Sequence, residues 1–161
     1  MLEIRPATAA EFPAVADVCE AAYAPFLPPD GYRAVLRDVA RRATHGELLV
    51  AADPGGGRVL GTVTFVPDGG PLGEIAAPDE AEFRMLAVDP AAQGRGVGGS
   101  LLGRVLDESR ERGKRGVVCS SLPEMRAAHR VYERAGFRRA PERDWSPSPG
   151  VRLLAFVTSL R

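Results

Sequence analysis

The stretch AVDPAAQGRGVGGSLL, residues 87–102, decides how the rest of the chain is read. Taken literally, Gly94-Arg95-Gly96-Val97-Gly98-Gly99 satisfies the G-x-G-x-x-G pattern of a dinucleotide loop. That pattern needs a strand running almost directly into the first glycine, and an acidic residue closing the next strand to hold the ribose. Here DPAAQ separates Val88 from Gly94, and the next strand ends in CSSL with no carboxylate. A Walker-type loop fails too, because no Gly-Lys-Ser/Thr follows. What survives is more general. Glycine lets the backbone turn tightly and approach a ligand without a Cβ in the way. The apolar run that follows makes this loop the start of a helix, where unsatisfied N–H groups and the helix dipole attract phosphate.

Outward from the loop, EFRMLAV (82–88) reads as the strand before it, LeuLeu-containing 98–113 as the helix after it, and GVVCSSL (116–122) as a second strand. Strand, helix, strand in this order makes a parallel crossover. Towards the N-terminus, residues 2–5 are a short strand. TAAEFPAVADVCEAAY spaces Phe12, Val15, Val18, Cys19 and Ala22 as one helix face, opened by a Thr8/Glu11 capping box. A second helix covers roughly 31–44, and ELLVAAD and RVLGTVTFV form a hairpin about PGGG. Residues 67–80 form a Pro/Gly/acidic loop. Towards the C-terminus, PEMRAAHRVYERAG is a helix ended by Gly136, and FRRAPERDW and VRLLAFVTSL are two final strands. The expected fold is α/β: a mixed seven-stranded sheet, antiparallel first and parallel in the middle, flanked by about four helices. No stretch has linker composition, so one domain over residues 1–161 is expected.

The 161 residues carry 21 acidic and 21 basic side chains, a balance that argues against a nucleic-acid or membrane-surface protein. No apolar run approaches the roughly 20 residues of a membrane span, and MLEIRPATAAEF lacks the pattern of a signal peptide. Cys19 and Cys119 each lie in an apolar run without a C-x-x-C partner, which fits reduced, buried thiols in a cytoplasmic protein. No cluster has metal-ligand spacing, and His45 and His129 are isolated on helices.

The sequence FRMLAVDPAAQGRGVGGSLL resembles the acyl-CoA-binding core of the GNAT superfamily of N-acetyltransferases. The family motif Q/R-x-x-G-x-G/A is matched by Gln93, Gly96 and Gly98, and AAHRVYERAGFRR is similar to the family's A-x-x-x-Y-x-x-x-G-F segment. The order of elements agrees over nearly the whole chain. One position departs: the family often has Asn seven residues before the tyrosine, and Met125 stands there. The resemblance implies a GNAT fold splayed between its fourth and fifth strands, with acetyl-CoA (coenzyme A) as cosubstrate and no metal. It implies that Gln93, Gly94, Arg95, Gly96, Val97, Gly98 and Gly99 hold the pyrophosphate, and that Leu86, Ala87 and Val88 pair with the pantetheine arm. A backbone N–H near Leu86 would face the thioester oxygen, a contact worth roughly 3–4 kcal/mol.

The acceptor implied is an amine of a small molecule or of a protein or peptide. With a pKa near 10.4, only about one amine in 2,500 is neutral at pH 7, a penalty of roughly 4–5 kcal/mol. A general base is therefore useful. Glu82 aligns with the strand glutamate that serves as base in some members, and in a regular strand it shares a face with Leu86. A solvated strand carboxylate is the plainer alternative. Tyr132 matches the tyrosine that donates a proton to the leaving thiolate; its stripe with Ala128 and Ala135 also fits a core aromatic. Tyr23, Phe26, Tyr32 and Trp145 could wall an apolar pocket rimmed by Glu74, Asp79, Glu80 and Glu82. Cys119 has apolar neighbours and no histidine partner, so it is expected to be structural. Two other readings stay open: an acyl-CoA-binding module without catalysis, and a transferase using another acyl-CoA or a hydroxyl acceptor. Many relatives are dimers, and the apolar C-terminal strand could serve a homodimer.

Overall fold

In the computed structural model, residues 1–27, 32–55 and 57–161 are described. The chain begins with β1 (Glu3–Pro6), α1 (Phe12–Tyr23), α2 (Arg33–Arg37) and α3 (Val39–His45), then β2 (Glu47–Ala52) and β3 (Val59–Val66). β4 (Glu80–Val88), α4 (Val97–Glu111) and β5 (Gly116–Ser121) form the middle of the chain. α5 (Arg126–Arg134), β6 (Arg138–Arg139), β7 (Trp145–Ser148) and β8 (Val151–Ser159) complete it. The sheet runs β1-β2-β3-β4-β5-β8-β6, with β7 paired to β8. The β4–β5 pair is parallel and the other described pairs are antiparallel.

Helices cover both faces because both faces of the central strands are apolar: every residue of β3 is buried. On one face, Val15, Val18 and Cys19 of α1, Leu36 of α2 and Val39 of α3 pack on Val50, Val59, Met85 and Ala87. On the other, Leu101, Leu102 and Val105 of α4 and Tyr132 of α5 pack on Leu60, Phe65, Phe83 and Leu86. The α4 residues recur at helical spacing, so one stripe is buried and the opposite face stays polar. Cys19 and Cys119 are free, buried and in these opposite layers.

Two expected elements divide. The helix expected over 31–44 breaks at Asp38, whose ψ of 63° leaves the helix and whose carboxylate accepts from the Arg41 N–H at 3.3 Å, capping α3. Its expected first residue, Gly31, lies outside the described residues. The strand expected over 137–145 is interrupted by a 3-10 turn at Pro141–Arg143, because Pro141 has no N–H to give the ladder. Among the described residues the sheet therefore has eight strands where seven were expected, and five α-helices flank it where about four were expected. The turn at PGGG is closed by Asp53 N–H donating to Arg58 O at 3.1 Å; Gly56 within it lies outside the described residues.

Candidate active site

β4 and β5 pair only at Glu80–Gly116, Ala81–Val117 and Glu82–Val118. Beyond Glu82 they separate, leaving one edge of β4 unpaired. The cause lies on the other side of β4. Its register with β3 skips between Thr62–Ala87 and Thr64–Arg84, so Met85 and Leu86 together oppose Val63. Met85 has a φ of 55°, the one non-glycine residue among those described with positive φ. This is a β-bulge, which bends a strand and breaks its ladder. It also inverts the alternation: Ala81, Phe83 and Leu86 face α4 and α5, while Met85 and Ala87 face α1. Glu82 and Leu86 therefore do not share a face, contrary to the expectation for a regular strand. Tyr23 at the end of α1 donates to the Leu86 carbonyl at 3.1 Å and pins the bulge to that helix.

The gap opens onto a cavity of about 420 Å3. Its apolar walls include Leu27, Phe83, Leu86, Leu122, Met125 and Leu153, and its polar groups include Tyr23, Tyr32, Glu74, Arg84, Ser121 and Tyr132. Tyr132 packs edge-on against Phe83 and Phe156, with ring centroids 5.6 and 5.2 Å away. Burial raises its phenol well above the ordinary value, so it is protonated at neutral pH. Met125, where the family often has Asn, contributes an apolar wall and is buried.

Glu82 is 1% exposed and does not line the cavity. Its carboxylate accepts from the N–H of Glu74 at 2.9 Å, of Ile75 at 3.3 Å and of Ala76 at 3.4 Å. Burial pushes its pKa up, while these amides and Arg84 pull it down; burial prevails. Glu82 thus latches the loop before β4, and the carboxylate that reaches the cavity wall from this loop is Glu74. Glu74 is also raised by burial, with Arg84 opposing. The Arg84 Nε lies 3.4 Å from Glu74 Oε1, and Arg84 Nη1 donates to Leu72 O at 3.3 Å. Of the other acidic residues expected at the rim, Asp79 pairs with Arg115 at 2.6 Å and Glu80 with Arg143 at 2.7 Å. Phe26 and Trp145 are not in the lining, whereas Tyr23 and Tyr32 are. Residues 28–31, between the expected pocket residues Phe26 and Tyr32, lie outside the described residues.

Beyond the bulge, Leu86, Ala87 and Val88 lead through Pro90–Ala92 to the glycine loop at the start of α4. Gly94 and Gly96 have φ of 83° and 74°, and a Cβ at 94, 96 or 99 would meet nothing within 4 Å. Gln93, Gly94, Arg95, Gly96 and Gly99 are exposed, while Val97 and Gly98 are buried against the core. The amides of the first turn of α4 have no acceptor within the helix, as at any helix start. An open backbone with free donors therefore sits at the end of the unpaired strand, which fits a pyrophosphate and its pantetheine arm. Arg95 is tethered to Asp53 at 3.0 Å. Cys119 lies in the core outside the cavity, its thiol raised by burial. His129 contacts Ser121 Oγ and Leu122 O, each at 3.1 Å. Among the described residues no acidic, Cys or His group could hold a metal, and no helix is long and apolar enough to cross a membrane. Arg84 was not singled out from sequence; its place immediately before the bulge was the missing signal.

The sheet thus opens beside a bulge, and an exposed glycine turn at the following helix start stands beyond the unpaired strand. Residues 12–137 match the model of the acetyltransferase (GNAT) family, and the chain belongs to that family. It is 34% identical over 123 residues to mycothiol acetyltransferase of Cellulomonas flavigena, a match covering 68% of this chain and 33% of that protein. The chain thus spans about a third of the length of this curated relative. A GNAT family acetyltransferase from Brucella melitensis, solved in complex with acetyl-CoA, is 28% identical with a TM-score of 0.61, covering 86% of this chain and 83% of that one. The ribosomal-protein-S18-alanine N-acetyltransferase of Escherichia coli has the same fold at 20% identity, with a TM-score of 0.71 over 99% of this chain and 94% of its own.

Proposed function

We propose that the protein transfers the acetyl group of acetyl-CoA to a primary amine by direct attack in a ternary complex. The observation that carries this reading is the continuity of three features: the open glycine cradle at the start of α4, the unpaired edge of β4, and the cavity bearing Glu74 and Tyr132. Coenzyme A supplies the activated thioester. Gln93, Gly94, Arg95, Gly96, Val97, Gly98 and Gly99 seat its pyrophosphate, and Leu86, Ala87 and Val88 align its arm. The bulge at Leu86 frees a backbone donor for the thioester oxygen. The acceptor ammonium gives its proton to Glu74, which Glu82 holds in position through the loop amides. The amine nitrogen then bonds to the acetyl carbon as the carbon–sulfur bond breaks; Tyr132 gives its phenol proton to the thiolate, the second proton lost by the nitrogen restores the phenol, and solvent takes the proton held by Glu74. In this assignment Glu82 acts on the amine through Glu74 rather than by touching it.

The test is twofold. Coenzyme A at 100 times its dissociation constant raises stability by about 2.7 kcal/mol, and NAD does not. Free thiol is then released from acetyl-CoA when primary amines are added. Stabilisation by NAD alone, or binding of coenzyme A with no thiol release against any amine, would overturn the reading.

A further inference from the structure

Glu74 and Arg84 are the only charged residues among those described as lining the cavity. They stand face to face, Nε to Oε1 at 3.4 Å, each side chain 19% exposed. The distance is too long for a strong charge-assisted bond, which closes to about 2.7–2.9 Å. Arg84 spends one donor on Leu72 O at 3.3 Å, and a guanidinium has five. The pair is therefore largely desolvated, loosely matched and has donors and lone pairs to spare. Around it the wall is apolar: Leu27, Leu122, Met125, Val151 and Leu153.

We propose that the acceptor is a compact zwitterion, an α-amino acid with an apolar side chain, whose carboxylate is taken by Arg84 and whose ammonium is presented to Glu74. This rests on the transfer reading above and names the substrate class for that site. The charge count decides between acceptors. A plain amine satisfies Glu74 but strips Arg84 of its partner in a largely buried setting, which is costly. A polycation brings more positive charge than one carboxylate can match. A protein N-terminus supplies the ammonium but carries its carboxylate far away. An α-amino acid holds both charges on one carbon, so each ligand charge replaces the partner lost when the pair is spread. Its side chain then lies against Leu27, Met125 and Leu153.

The experiment titrates the coenzyme A-bound protein calorimetrically with L-methionine, L-leucine and L-phenylalanine, each against its carboxamide. At least one free acid should bind about tenfold or more tightly than its amide, the size of one charge-assisted contact. Arg84→Met should abolish that preference, and Arg84→Lys, which keeps the charge without the planar fork, should retain part of it. Thermal melts confirm that both variants fold. Equal binding of acids and amides, absence of binding by all three acids, or a preference that survives Arg84→Met would overturn the proposal. The same pairs run with acetyl-CoA separate the two claims: acetylation of amides as fast as acids sinks the zwitterion but leaves the transferase, whereas failure of acetyl-CoA to bind sinks the transferase.

Discussion

Glu82→Gln and Glu74→Gln should fail in different ways. The Glu82 carboxylate holds three consecutive backbone amides, the shortest at 2.9 Å, in a site that is 1% exposed. Charge-assisted bonds of this kind are worth about 1.5–3 kcal/mol each, but two of the three are long. Gln keeps one acceptor oxygen, loses the other and turns an NH2 donor onto the loop amides. It also removes the cost of burying a charge, the same cost that raises the Glu82 pKa. The net loss should be about 1–2 kcal/mol, or roughly 2–8 °C in Tm for a chain of this length. Because the loop carries Glu74, kcat should fall as well. Glu74→Gln should change Tm less and cost about 10²–10⁴-fold in kcat near neutral pH. The Glu74 pKa is raised, so its base form is lost as pH falls through a value above the ordinary carboxylate range. The wild-type rate should therefore drop on that acidic limb, and Glu74→Gln should lack the limb and recover as pH rises and neutral amine accumulates. Thermal melts and pH–rate profiles of both variants decide it. Full activity in Glu74→Gln, with an inactive but fully stable Glu82→Gln, would refute the positioning role and make Glu82 the direct base.

Three further outcomes follow from the same geometry. Gly96→Val forces a β-branched residue to a φ of 74° at the open face of the cradle, so acetyl-CoA affinity measured by calorimetry should fall severely, whereas Gly98→Val, whose Cβ meets Val131 Cγ1 at 3.2 Å, should show itself mainly as a lower Tm. Tyr132→Phe keeps the ring contacts with Phe83 and Phe156, so stability should hold while kcat falls by about tenfold or more without rescue at high pH; an unchanged kcat would make Tyr132 a packing residue. Asp144, held at about 2 by Arg139, with the Ala155 amide and Arg152 adding to the effect, should contribute stability above its ordinary pKa of 3.8 that is lost as pH falls towards 2. Asp144→Asn should remove that pH dependence at a cost of about 1–2 kcal/mol in a urea titration.

The glycine loop and its helix were legible because both depend on local chemistry: glycines at positive φ, then an apolar stripe at helical spacing. The parallel crossover and the order of strands followed from them. The bulge was not legible. Bulges are often marked by glycine, but here Met85 takes the positive φ, held by packing and by the Tyr23 bond to Leu86. Missing it inverted the face assigned to Leu86 relative to Glu82. That Glu74 rather than Glu82 reaches the cavity was hidden for a related reason: eight positions separate them, and only the folded loop turns the 74–76 amides back onto Glu82. Asp38 and Pro141 are breakers visible in the sequence: around Asp38 the apolar positions Val35, Leu36 and Val39 keep helical spacing across the break, and Phe137 and Trp145 share strand parity across Pro141.

The most direct test of the account follows the acetyl group itself. The protein is incubated with acetyl-CoA labelled in the acetyl carbons and an apolar α-amino acid, and label on nitrogen is measured against thiol released. The account predicts N-acetyl product and free thiol in equal amounts, with both falling together in Tyr132→Phe and Gly96→Val. Tight binding of coenzyme A with label remaining wholly in the thioester, whatever amine is supplied, would contradict it.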